Sequence, residues 1–325
     1  SRSEFRKPTV KPSLPNKPPP AYRQSGVVLL ILFMILFMVG ASVFLTVMNN
    51  NVIQQRENAD TLSELRAARD VLISYAVLHG DYYGATGAGP GHLPCPDSNN
   101  DGTENSPCGT TTLARLPTSI TLPSGDIFPV SESMAGIDQQ LWYAVSPEFR
   151  RNPAGIVNTT VNGSFTVDGR SGIAAVIIAP GEALATQSRP SNNTSNYLEA
   201  DNISPPDFIS YYTVNPAALN DRIMAITAAE ILAPISARVA EAIKQSLDAW
   251  HGSYGSYPAD ASEFADATTV APAPAPAWFQ SNQWDVNTSY TRLSNDSATL
   301  IFTGCGITYT LDQTVPNISR TGTRC

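Results

Sequence analysis

The chain of 325 residues carries 28 acidic against 20 basic side chains, a formal net charge of −8, with 15% of positions charged and 42% hydrophobic. The charge is uneven: Arg2, Arg6, Lys7, Lys11, Lys17 and Arg23 oppose Glu4 alone in residues 1–26, so everything beyond is more acidic than the total. An acidic body without a basic stripe argues against nucleic acid as a partner, and with no G-x-S-x-G, no H-E-x-x-H and no suitably placed S-x-x-K the chain is not expected to be an enzyme.

Residues Val27 to Val47, VVLLILFMILFMVGASVFLTV, form an uncharged run. That length predicts a membrane-spanning helix, with the basic stretch before it in the cytoplasm and the remainder outside. It is too long for a secretory h-region, and no small-x-small cleavage pattern follows it. From Asn58 the spacing of Leu62, Leu65, Ala68, Leu72, Tyr75 and Ala76 predicts a helix with one apolar stripe, stopping at Gly80. If Asn49-Asn50-Asn51 does not interrupt it, one helix runs from Val27 to about His79, roughly 80 Å long at about 1.5 Å per residue.

Gly84, Gly87, Gly89, Pro90 and Gly91 then punctuate a loop leading to His92-Leu93-Pro94-Cys95-Pro96-Asp97. Without G-K-[S/T] or a preceding strand, this is a flexible turn rather than a phosphate cradle. The four cysteines allow three connectivities. Cys95–Cys108 and Cys305–Cys325 each close a short loop and are the economical pairing in an oxidising compartment; zinc is the competing use, but neither pair has C-x-x-C spacing and His79, His92 and His251 show no ligand pattern. Between the first two cysteines, Asp97-Ser98-Asn99-Asn100-Asp101-Gly102-Thr103-Glu104 reads D-x-N-x-D-G-x-E. Alternating oxygens with a sixth-position glycine match the first half of a calcium loop, for Asp97, Asn99, Asp101 and Glu104 as ligands of Ca2+. The twelfth position is Cys108 instead of glutamate, and an ordinary Asn/Asp-Gly turn is the alternative.

Strands are predicted at Gln140 to Val145, at Ser164 to Val167 turning at Asp168-Gly169, and at Ile173 to Ala179, an apolar run of buried type. Residues 193–221 read as a polar loop around Tyr197, Leu198, Phe208, Tyr211 and Tyr212. Thr227-Ala228-Ala229-Glu230 fits a capping box, with Pro234 placed where a short helix would end and a longer one begin. The longer helix follows Ile235, Val239, Ala242, Ile243, Leu247 and Trp250 to Gly252, and its exit, Leu247-x-x-Trp250 to Tyr257-Pro258, echoes Leu72-x-x-Tyr75 to Leu93-Pro94. An extended Ala271–Ala277 linker leads to strands at Val286 to Leu293, Ala298 to Thr303 and Ile307 to Leu311, the first two joined through Ser294-Asn295-Asp296. His251 beside Ser253 is explained by a helix exit rather than by a nucleophile pair.

The junction Arg23-Gln24-Ser25-Gly26 followed by Val27-Val28-Leu29-Leu30 resembles the processing site of type IV prepilins and type II secretion pseudopilins. The aromatic and Tyr-Pro helix exits and the C-terminal cysteine loop are similar to theirs, and LPCPD, LWYAVS and AVIIAPG look like segments of large prepilin-type proteins. One departure is Ile31, at the fifth position after Gly26, where those families usually carry glutamate. The resemblance implies an α+β fold: a long N-terminal membrane-spanning helix with a pilin-like antiparallel β head, enlarged by an extra α+β region and a second helix-plus-sheet module. The expected divisions are a basic cytoplasmic leader (1–26), the transmembrane and N-terminal helix (27–80), a first periplasmic α+β region (81–221) and a second helix with a C-terminal sheet (222–325). It further implies cleavage between Gly26 and Val27 by prepilin peptidase, and residence in a bacterial inner membrane with a periplasmic head. The partners would be other pilin or pseudopilin subunits. A structural minor pilin or pseudopilin, at the tip or initiating position because Ile31 lacks the carboxylate, is the expected function. The alternative is a membrane-anchored periplasmic binding or scaffold protein that does not polymerise.

Overall fold

The computed structural model describes residues 25–84, 88–131, 140–151, 155–210, 218–270, 272–322 and 325; within the first helix the side chains of 25–28, 43 and 45–55 are excluded. The leader up to residue 24 therefore lies outside the described residues, as do Tyr211 and Tyr212. The chain divides into two compact units, 1–59 and 60–325.

Helix α1 runs from Ser25 to Tyr83 without a break at the three asparagines. The expected membrane-spanning helix is corrected here: among the described residues, no helix is long and apolar enough to cross a membrane. Nor does the helix stop at Gly80. Pro90 and Trp278 pack where a Cβ at that residue would sit, so the glycine admits close neighbours inside the helix instead of ending it.

In the second unit, α1 buries Leu65, Ala68, Leu72, Tyr75 and Ala76 in one core, the stripe that 3.6-residue periodicity demands. Next come β1 (Leu113–Arg115), β2 (Ser119–Thr121), β3 (Ile127–Pro129), β4 (Trp142–Val145), β5 (Phe165–Val167), β6 (Arg170–Ala179), β7 (Asp207–Phe208) and β8 (Arg222–Thr227). A six-stranded sheet is ordered β1-β4-β6-β5-β7 with β8 also paired to β6; β5 and β7 are its parallel pair, and β2 and β3 form a separate hairpin. Asp168 and Gly169 both take positive φ, 51° and 76°, giving the two-residue β5–β6 turn whose twist matches the strands.

Successive residues of β4 and β6 point to opposite faces, and both faces are covered. Tyr143, Val145, Ala175 and Ile177 enter the main core with α1. Trp142, Ala144, Val176 and Ile178 enter a second core with Phe165, Tyr197, Leu198 and Phe208, so the polar-looking segment after β6 covers the outer face of the sheet. Asn193 caps a short 3-10 turn at Thr194–Asn196, and another follows at Ala200–Ile203.

Helix α2 (Ala228–Tyr254) opens on the full Thr227/Glu230 capping box and closes on Gly255 at φ 77°, the left-handed cap that glycine supplies. Pro234 lies inside α2 and does not divide it, contrary to the sequence expectation. Burial of Ile231, Leu232, Ile235 and Val239 on either side offsets the lost amide bond. Two ion pairs join α2 to α1, Arg69 to Glu230 and Arg238 to Asp81. The sequence did not foreshadow α3 (Ala261–Thr269), although Asp260 caps it through the Ser262 and Glu263 amides, nor α4 (Trp278–Ser281). The chain ends in an antiparallel sheet ordered β12-β11-β10-β9, from β9 (Thr288–Arg292), β10 (Ser297–Phe302), β11 (Thr308–Asp312) and β12 (Ser319–Thr321). Disulfides join Cys95 to Cys108 and Cys305 to Cys325.

Candidate functional site: an apolar helix surface and a disulfide-closed loop

Between Leu29 and Val39 every residue of α1 is a large hydrophobic, exposed from 51% at Ile31 to 77% at Phe37. Water contact on this scale is costly at roughly 25 cal/mol per Å² of apolar area, and contiguous patches of this kind mark interaction sites. Gly26 and Val27 occupy the first turn of α1. Ile31 contributes an aliphatic side chain to this exposed surface.

The other sequence candidates gather at the 95–108 loop. The backbone of Asp97 pairs with that of Arg115 in both directions, at 2.9 and 3.1 Å, and the Thr118 amide donates to Gly102 O, which docks the loop on β1 and β2. Asp97 is buried, and its carboxylate accepts from the amides of Asn100 at 2.7 Å and Gly102 at 2.8 Å. Gly102 turns sharply at φ 86°. Asn99 donates to Asp101 at 2.8 Å. The Thr103 hydroxyl and amide hold the Asp101 carboxyl below its ordinary range.

Glu104 is separated from this group. Its Oε1 meets Arg151 Nη2 at 2.5 Å, and its Oε2 accepts from the Cys95 amide at 3.1 Å. Asp97, Asn99 and Asp101 therefore share one tight turn of hard oxygens, the donor type that suits calcium, whereas Glu104 is committed to an ion pair. Among the described residues, no group of three or more His, Cys, Asp or Glu side chains is placed to hold a metal ion.

His79 and His92 are buried with ring centroids 5.0 Å apart, and the Nδ1 atoms of both approach Gly89 O, at 2.8 and 3.0 Å. Burial, followed by the neighbouring imidazole, pushes His79 down to about 3, and burial also lowers His92. The His79 ring is thus neutral at ordinary pH, and both rings serve the turn at Gly89, with His92 Nε2 also approaching Gly155 O at 2.9 Å. At the end of α2, His251 Nε2 contacts Asp296 at 2.8 Å while Ser253 Oγ donates to Ala249 O, so the two side chains are not paired.

Sequence reasoning missed the packing of Arg115. This buried guanidinium lies 4.2 Å from the Trp142 ring centroid and 4.1 Å from that of Tyr197, with Arg189 also 4.7 Å from Tyr197. Cations over aromatic faces gain energy when desolvated, and here they pin the outer cover to β1 and β4. No local signal marks these residues, because their partners are remote in sequence. No family model, curated protein or solved structure matches this chain.

Proposed function

We propose that this chain is a structural minor pilin or pseudopilin of a type IV pilus or type II secretion-like filament, placed at the tip or initiating position. The observation that carries the proposal is the continuous apolar exposure of Leu29 to Val39 on α1, which needs an apolar partner, and like helices of neighbouring subunits supply one. Residues 60–325 would serve as the head. The two disulfides suit the oxidising periplasm, and a bacterial inner membrane is the corresponding place of assembly. Prepilin peptidase would cut between Gly26 and Val27. A carboxylate at the fifth position would neutralise the amine of a neighbouring subunit in an apolar filament core, where an unpaired charge costs several kcal/mol. Ile31 cannot supply it, so the subunit fits where no such amine has to be met.

N-terminal sequencing after expression with prepilin peptidase should return Val27 as the first residue, and Gly26→Val should block the cut. Mass spectrometry of sheared filaments should find this chain at a small fraction of the major subunit. An uncut N-terminus together with absence from filaments would favour an anchored periplasmic scaffold. Abundance matching the major subunit would remove the tip placement alone.

A further inference from the structure

Outside that surface, the molecule buries two carboxyl groups against each other. Asp221, immediately before β8, is fully buried; its Oδ2 accepts from the Glu199 amide at 3.0 Å and from Asn202 Nδ2 at 3.1 Å, and its Oδ1 meets no donor among the described residues. Glu199 is 6% exposed, with Oε1 accepting from Gln187 Nε2 at 2.6 Å and Oε2 from the Asn220 amide at 3.1 Å. The Glu199 amide on Asp221 and the Asn220 amide on Glu199 thus set the two buried carboxyl groups in one network. Two buried carboxylates in one network are costly, the more so with the Asp221 Oδ1 left without a donor, so the site needs a proton on one of them.

The charged groups on the neighbouring elements are Arg189, Glu182, Asp201 and Arg222. Arg189, from the same loop, donates to Gly181 O, Asn196 O, Tyr197 O and Gln187 Oε1, and reaches Glu199 only through Gln187. Glu182 contributes a carbonyl, which accepts from Asn220. Asp201 is exposed on the 3-10 turn, and Arg222 is half-buried at the start of β8. Burial first, and then the Glu199 charge, pushes Asp221 up to about 8.

We propose that the buried Asp221 holds a proton beside Glu199 and forms a pH-operated latch, which keeps the 181–203 segment against the start of β8 and loosens when the proton leaves. The proposal is independent of the filament assignment. Asp221 has a raised affinity for its proton in the folded state, so the folded chain binds more protons than the unfolded chain between an ordinary carboxylate value of about 4 and the folded value. Stability from this pair is therefore complete at the acid end of that window and falls as pH rises through it.

The test is the melting temperature of the full chain in detergent micelles from pH 5 to 9, with chelator present. The unmutated protein should lose several degrees across that range. Asp221→Asn, whose amide matches the neutral acid in shape and does not titrate, should be flat. Hydrogen exchange at the amides of 199–203, corrected for its intrinsic pH dependence, should rise about tenfold or more at the alkaline end in the unmutated protein alone. Infrared spectra of the unmutated protein give a readout that does not depend on a variant folding: a protonated-carboxyl band at pH 6 that disappears by pH 9. An identical pH slope in Asp221→Asn, or no such band at pH 6, overturns the latch. So does calcium raising the melting temperature of Asp101→Ala at pH 9, which would place a cation between the carboxyls.

Discussion

The six-stranded and four-stranded sheets solve the same burial problem differently. In β10 the alternation is clean: Ala298, Leu300 and Phe302 are buried while Ile301 is 43% exposed. An antiparallel sheet with one face toward water reads this way. In β6 the run from Ala174 to Ala179 is buried throughout, because α1 and α2 contribute to the core on one face and the cover around Tyr197, Leu198 and Phe208 closes the other. A sheet of the first kind needs one partner. The second kind needs two, and here the second partner has little regular structure, so it is held by side-chain chemistry: Arg115 between aromatic rings, Arg189 on loop carbonyls, and the Glu199–Asp221 pair.

Truncation at neighbouring positions gives the largest expected effects. Ile177→Ala and Ile178→Ala, on opposite faces of β6, should each cost about 2–5 kcal/mol. In β10, Leu300→Ala should fall in that range and Ile301→Ala within about 0.5 kcal/mol. Urea unfolding decides the matter, and a near-silent Ile178→Ala would mean that the outer cover contributes no real core. Removing a disulfide comes next: Cys305→Ser with Cys325→Ser should cost roughly 3 kcal/mol by loop entropy, and the Cys95/Cys108 double variant a similar amount. Comparable losses in urea would show that each sheet leans on its own cross-link.

Calcium should raise the melting temperature by an increment equivalent to about 2.7 kcal/mol at a hundredfold excess over Kd, by ordering the Asp97, Asn99 and Asp101 turn against β1. Asp101→Ala should erase the increment and Glu104→Gln should retain it, since Glu104 is occupied by Arg151. Equal melting in calcium and chelator would leave an amide-filled turn. Thr227→Ala has the smallest expected effect, about 1 kcal/mol from the lost cap, and it should appear equally in probes of either sheet because α2 touches both.

Much of this was legible in order along the chain, wherever the cause is local. The α1 stripe follows from apolar spacing, the α2 start from Thr227 and Glu230, the β5–β6 turn from Asp168-Gly169, and the β9–β10 hairpin from alternation around Ser294-Asn295-Asp296. Each depends on residues within one or two turns of each other, so the sequence alone determined them. What the tertiary structure decided depends on remote partners. Gly80 belongs inside α1 because Pro90 and Trp278 close on it, and Pro234 sits within α2 because the core around it outweighs a missing amide. Glu104 left the loop oxygens for Arg151, 47 residues away. Two acids 22 residues apart became one buried pair, since desolvation and proximity exist only once the cover has folded onto the sheet.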